Sequence, residues 1–223
     1  MTILLPLGTG SRWQDNELRY CFRSIEKYLT GWDKIVIVGK LPEWVIPNER
    51  IIFIPAEDRI GARHKEHNIY VKILAGIASG HLGEAFLFMN DDHFLLQPFD
   101  ASNFPYHHKG PLTPSTGFNC YKKTVQNTIN LLKVADNFDT HCPIVYHTDK
   151  FLKAFQGIQW PYYGYCIKTT YCKRNGITGE YYPDLKMAEE VDFDKYRMYF
   201  STGANFKGLD LMEILYPEKS QFE

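Results

Sequence analysis

Ile3 to Leu7 is an unbroken apolar run that empties into Gly8-Thr9-Gly10-Ser11, the pattern of a buried strand opening into a tight loop. Behind it Leu18, Cys21, Phe22, Ile25 and Leu29 recur at helical spacing. This predicts an amphipathic helix over 16–29, with Asp15 as its cap and Gly31 closing it. Lys34-Ile35-Val36-Ile37-Val38-Gly39 is too densely β-branched to alternate. Such density marks a strand covered on both faces, and therefore parallel to its neighbours. Strand, helix and strand within about 35 residues make a βαβ unit. The rhythm continues with a third strand over 50–55 and a second helix over 64–79, where Ile69, Ile73, Leu74 and Ile77 share one side. A fourth strand over 85–89 runs straight into Asn90-Asp91-Asp92.

After residue 100 the rhythm breaks down. Pro and Gly cluster between 105 and 117, helical patterns return near 120–134 and 147–156, an aromatic and basic stretch follows at 160–174, and a last helix is predicted near 208–215. There is no internal repeat and no low-complexity segment. The expectation is an α/β chain with a Rossmann-like, mostly parallel central sheet. Residues 1–223 read as one domain, with 1–100 as a nucleotide-binding half and 101–223 as an acceptor half.

A length of 223 residues suits one large α/β domain, and 44% hydrophobic with 23% charged residues argues against disorder. A formal net charge of −1 leaves no global field to attract nucleic acid or anionic membrane, although a local basic groove stays open. Five irregularly spaced cysteines without a CxxC pair indicate neither a zinc site nor a disulfide framework, so reduced thiols in a cytoplasmic protein are expected. The apolar start lacks a basic leader, and no apolar run reaches the roughly 18–20 residues of a membrane span.

The strongest chemical signal is Phe86-Leu87-Phe88-Met89-Asn90-Asp91-Asp92-His93. Two acids directly after a buried strand stand at its carboxyl end, where open α/β sheets bind ligands. Adjacent, partly desolvated carboxylates repel each other and call for a cation, and Mg²⁺ or Mn²⁺ carrying a diphosphate would supply it. The bland alternative is one Asp capping the next turn beside a solvated neighbour. Gly8-Thr9-Gly10 has no third glycine of a GxGxxG fingerprint, and no P-loop is present. The loop from Gly8 through Thr9 to Arg12 remains a candidate to hold a base or ribose through its backbone. Arg63, Lys65, Asn68 and Lys72 precede or line the second helix, with Asn68 and Lys72 on one face. They are candidates to steady diphosphate oxygens, or form a solvated polar face. His141, just before Pro143, is a candidate general base or metal ligand. The stretch from Trp160 to Lys168 mixes rings with a cation and suits either sugar stacking or a packed core edge.

The block Asn16 to Tyr28, followed by Lys34 to Val38 and by Phe88-Met89-Asn90-Asp91-Asp92, resembles the stealth family of sugar-phosphate transferases, which share a glycosyltransferase-A-like nucleotide-sugar fold. Thr140-His141-Cys142-Pro143 through Lys168 is similar to that family's third conserved region, and 215–223 is similar to the tail of such transferases. The resemblance implies that Asp91 and Asp92 contact metal or diphosphate and that His141 works at the reacting centre. Lys168 stands roughly where the family places an arginine, keeping the charge without the bidentate fork. Two blocks depart from the family: Leu7-Gly8-Thr9-Gly10 replaces an aspartate-glycine turn, and Ser201-Thr202-Gly203-Ala204-Asn205 lacks an aspartate.

Residues and resemblance together imply a transferase using a nucleotide-sugar donor and Mn²⁺ or Mg²⁺. Asp91 and Asp92 would be the metal ligands, Asp92 and His141 the catalytic pair, and Gly8, Thr9, Arg12, Arg63, Asn68, Lys72, Asn90 and Lys168 the substrate contacts. The acceptor is a glycan or a hydroxymethylated base in nucleic acid. Transfer of a whole sugar 1-phosphate and binding without turnover are the alternatives.

Overall fold

The computed structural model describes residues 1–11, 13–58, 64–114, 119–184, 186–187, 197–203 and 206–223. Arg12 and Arg63, both named as candidate contacts, lie outside them. In chain order the elements begin β1 (Thr2–Leu7), α1 (Asn16–Tyr28), β2 (Leu29–Thr30), β3 (Lys34–Gly39), β4 (Ile51–Pro55), α2 (Lys65–Ala78) and β5 (Ala85–Phe88). There follow β6 (His93–Leu95), β7 (Phe99–Asp100), β8 (His107–His108), α3 (Cys120–Leu132), β9 (Ile144–His147), α4 (Thr148–Phe155) and α5 (Ile167–Arg174). The last are β10 (Glu180–Tyr181), β11 (Lys186–Met187), β12 (Tyr199–Thr202) and α6 (Leu209–Leu215).

The central sheet has the order β4-β3-β1-β5-β9. Its first four strands are parallel, and β9 joins antiparallel, with Phe86 opposite Tyr146. The fold is thus α/β with a mostly parallel central sheet, and the second half of the chain supplies its edge strand. The dense runs are buried on both faces because successive side chains serve different cores. Ile3, Leu5, Ile35 and Ile37 pack with Phe22 of α1 and with Met212 and Phe222 near the chain end. Leu4, Val36, Val38 and Phe88 pack instead with Ile73 of α2, Phe151 of α4 and Tyr171 of α5.

Two helix-boundary expectations are corrected. Asp15 occupies the residue before α1 but has a left-handed backbone (φ 60°) and makes no side-chain capping bond. The Ser11 hydroxyl accepts the Asp15 and Trp13 N–H groups instead. Gly31 does not close α1. The helix ends at Tyr28, Leu29 is extended, and Leu29–Thr30 pairs with Phe99–Asp100. Pairing with a distant strand overrides the local stop signal there.

Gly39 ends β3 at φ +147°, where an added Cβ would lie 1.9 Å from the Leu7 carbonyl oxygen. Main chain cannot yield as a side chain does, so β1 and β3 can approach this closely only over a glycine. Gly39→Ala is expected to destabilise the protein by at least about 2 kcal/mol. Equilibrium urea unfolding measures this. An unchanged midpoint would refute the close approach.

Among the described residues no helix is long and apolar enough to cross a membrane.

Candidate functional site at the switch point of the sheet

The strand order creates one natural crevice. From β1 the chain winds outward through β3 to β4, and α2 then carries it back to β5 on the other side of β1. The crossovers leaving the carboxyl ends of β1 and β5 therefore diverge, and such a switch point is where open α/β sheets take ligands. Gly8 to Ser11 leaves the end of β1, and Asn90-Asp91-Asp92 leaves the end of β5. A cavity of about 300 Å³ opens between them, lined by Gly8, Thr9, Asn68, Lys72, Asn90, Asp91 and Asp92 among others. Most of the site candidates named from the sequence meet here, His141 among them.

The acidic turn is held by its own backbone and by His93. The Asn90 carbonyl accepts the His93 N–H at 3.2 Å, and His93 Nδ1 accepts the Asn90 N–H at 3.2 Å. His93 is fully buried, and burial lowers its pKa, so the ring is neutral with its proton on Nε2. The carboxyl of Asp91 is pushed up to about 8, by burial first and then by the charges of Asp92 and Glu17. Asp92 accepts a hydrogen bond from the Ser201 hydroxyl at 2.9 Å and has the Lys186 ammonium at 3.6 Å. Glu17 accepts from Ser11 at 2.7 Å, and burial raises its pKa as well.

Among the described residues no group of three or more His, Cys, Asp or Glu side chains forms a metal cage. Mg²⁺ usually takes one or two carboxylates, with waters and substrate phosphates completing its shell. The chemistry of the donor set here fits such an ion. Asp91 and Asp92, with Glu17 beside them, repel one another at the carboxyl end of a buried strand, and a divalent cation would relieve that repulsion.

Other candidates take unexpected places. Asn68 and Lys72 share a face of α2 as expected, but the face is buried (7% and 4% exposed) rather than solvated. The Lys72 ammonium donates to the Leu7 carbonyl at 2.7 Å and to Asp58 at 2.6 Å, tying α2 to the end of β1. Lys168 is not in this cavity. Its ammonium is buried and donates to the carbonyls of Thr140 and Cys142, at 2.6 and 2.5 Å. It stitches the loop carrying His141 to α5, and its charge faces a second, larger cavity. The Trp160 to Lys168 stretch divides in the same way: Trp160 stacks on Tyr70 at 3.9 Å and 7°, a packing contact, while Tyr163 and Lys168 line the larger cavity.

That larger cavity, about 600 Å³, adjoins the first. Asn90, Lys65, Glu66, Ile69 and His141 line both. At this junction His141 Nδ1 lies 2.8 Å from Asp184 Oδ1, and the His141 N–H donates to the same oxygen at 3.0 Å. The second Asp184 oxygen pairs with Lys109 at 2.7 Å. Among the described residues Nε2 of His141 has no hydrogen-bond partner. A carboxylate on Nδ1 selects the tautomer whose Nε2 accepts a proton.

Glu17, Asp184, Lys186 and Ser201 were not singled out from the sequence. Glu17 sits in the first turn of α1, shortly after the Gly8–Ser11 loop, and that placement was its one available signal. Asp184 lies 43 residues from His141 with no pattern linking them. The hydrogen bonds from His141 and from the Lys109 ammonium hold its carboxyl well below the usual range against burial. A depressed carboxylate contributes stability above the unfolded pKa, about 4, and loses it as the pH falls further. Asp184→Asn should therefore lower stability at pH 7 and flatten its decline below pH about 4. Chemical denaturation at both pH values checks this; parallel curves for the two proteins would contradict it.

Comparison of the sequence with models of known protein families and with curated proteins found no match.

Proposed function

We propose that this chain is a divalent-cation-dependent glycosyltransferase with a glycosyltransferase-A-like fold, moving a sugar from a nucleotide-sugar donor to an acceptor hydroxyl. One observation carries the reading: the desolvated Asp91–Asp92 pair stands at the sheet's switch point, facing the loop that leaves β1. Asp91 and Asp92, with Glu17 in support, are the residues that would hold Mn²⁺ or Mg²⁺. Such an ion would supply positive charge to offset the negative charge growing on the departing nucleoside diphosphate.

This chain's own groups supply the rest. The Gly8–Thr9 backbone borders the donor cavity and suits the nucleoside end. Lys186, beside Asp92, adds positive charge where diphosphate accumulates it. Lys72 acts indirectly, anchoring the β1 loop through Leu7 and Asp58. His141 stands where the two cavities meet. The acceptor hydroxyl gives its proton to His141 Nε2 while its oxygen bonds the anomeric carbon, and the bond from that carbon to the β-phosphate oxygen breaks. Asp184 steadies the imidazolium formed.

The test is a panel of nucleotide sugars labelled at the β-phosphate, incubated with Mn²⁺ and candidate acceptors. Labelled nucleoside diphosphate is the expected product. A nucleoside monophosphate, with the label passing to acceptor, would identify sugar 1-phosphate transfer instead. Donor that binds without any turnover would identify a non-catalytic binding protein.

A further inference from the structure

We infer that the larger cavity is a binding site for a neutral, hydroxyl-rich ring, one or two sugar units in size, with the Tyr146 hydroxyl and His64 Nδ1 as its polar contacts. Calling that ligand the acceptor rests on the transferase reading; the binding itself does not.

Two residues of the cavity wall carry buried polar atoms that have no partner among the described residues. Tyr146 is fully buried on β9, and its hydroxyl makes no hydrogen bond to them; His64 is 7% exposed, and its Nδ1 makes none either. A buried polar group without a partner leaves its desolvation uncompensated. Groups kept in that state in the wall of a cavity are provision for a ligand. Tyr146 lines this cavity together with Asp139 and Glu66, whose charges reach it along with Cys172 and Tyr171 of the core. The rings of Tyr121 and Tyr163 add faces on which a sugar ring can stack. About 600 Å³ lies well within the range of ligand pockets.

Charge decides the ligand class. Two cations of the wall are already engaged: Lys168 by two carbonyls and Lys109 by Asp184. Lys65, on the wall common to both cavities, is exposed to solvent. Facing them are Glu66 and Asp139. Burial, then the charge of Asp139, pushes the Glu66 carboxyl up to about 8, so it is mostly neutral at pH 7. An anionic ligand would meet Asp139, and the buried Lys168 ammonium has already given two of its three donors to carbonyls. Sugar hydroxyls suit the wall better, because they both donate to carboxylates and accept from Tyr146.

Saturation-transfer NMR on the full chain tests this, with methyl glycosides of glucose, galactose, mannose, rhamnose and N-acetylglucosamine as neutral probes. Glucose 1-phosphate and a short DNA duplex serve as anionic probes. At least one neutral glycoside is expected to bind, and Tyr146→Phe should weaken it about 5- to 10-fold. The ligand-free Tyr146→Phe protein should melt at the same temperature or higher, since the hydroxyl it loses is unpartnered. His64→Leu, the second variant, should also weaken the glycoside. Absence of neutral binding, equal affinity in both variants, or Tyr146-dependent binding of an anionic probe would overturn the assignment. Nucleotide binding with Mn²⁺ in the same samples separates the two claims. Nucleotide bound without glycoside overturns only the cavity assignment; glycoside bound without nucleotide overturns only the transferase reading.

Discussion

Asp91→Asn is expected to raise the melting temperature of the metal-free protein while lowering donor turnover by on the order of 100-fold or more. Both effects follow from one electrostatic fact. Burial and the charges of Asp92 and Glu17 push the Asp91 carboxyl up to about 8. The folded state therefore holds a proton that the unfolded chain releases near pH 4. A raised carboxyl makes stability fall as the pH rises from about 4 to about 8, and above that the full penalty applies. Asn carries no charge at any pH, so its advantage should be absent near pH 4 and largest near pH 8. Thermal melts at pH 4, 6 and 8 in chelator would trace this, with activity measured in parallel. With Mn²⁺ and nucleotide present, the order should reverse, because only the wild type gains from binding. A variant that melts lower than wild type at pH 8 in chelator would contradict this description of the acidic turn.

The second large effect concerns stability alone. Phe222→Ala is expected to cost about 3–5 kcal/mol and to lower the melting temperature by on the order of 10 °C. Phe222 is fully buried, meets Phe22 edge-on at 5.0 Å, and is fixed by a hydrogen bond from the Ile46 N–H to its carbonyl at 2.9 Å. Next to it the Glu223 carboxylate, 2% exposed, pairs with Arg23, 7% exposed, at 2.7 Å. The segment thus plugs the core on the α1 face of the sheet and locks over a buried cation. Nucleotide affinity should be unchanged at temperatures where the variant stays folded, since the segment packs on α1, away from the switch-point cavity. Calorimetric melting, followed by nucleotide titration at 10 °C, checks both parts.

The central strands were legible because their pattern is local. Leu4 and Ile37 sit in β-branched or apolar runs too dense for any one-sided sheet, and parallel pairing follows. The position of Asp91 and Asp92 was legible for the same reason, since a strand's end can be read from its last apolar residue. The Asp15 cap failed because the nearby Ser11 hydroxyl takes the capping role, and the Gly31 stop failed because the distant Phe99–Asp100 strand pairs with Leu29–Thr30. Lys168 reads in sequence as a cation beside aromatic rings, yet its amine is satisfied by two carbonyls that no local pattern reveals. Asp184 and Ser201 reach the site through pairings across more than forty and more than a hundred residues, and periodicity is silent at that range. Most of the candidate contacts nonetheless meet at the switch point, because the sheet gathers the ends of its strands in one place.

Electron paramagnetic resonance of Mn²⁺ titrated into the chain, with and without a nucleoside diphosphate, tests the central claim most directly. A single bound ion is predicted, appearing tightly only with the nucleotide present and vanishing in Asp91→Asn. Mn²⁺ that stays free with every nucleotide tried, or that binds equally well to the variant, would contradict the account.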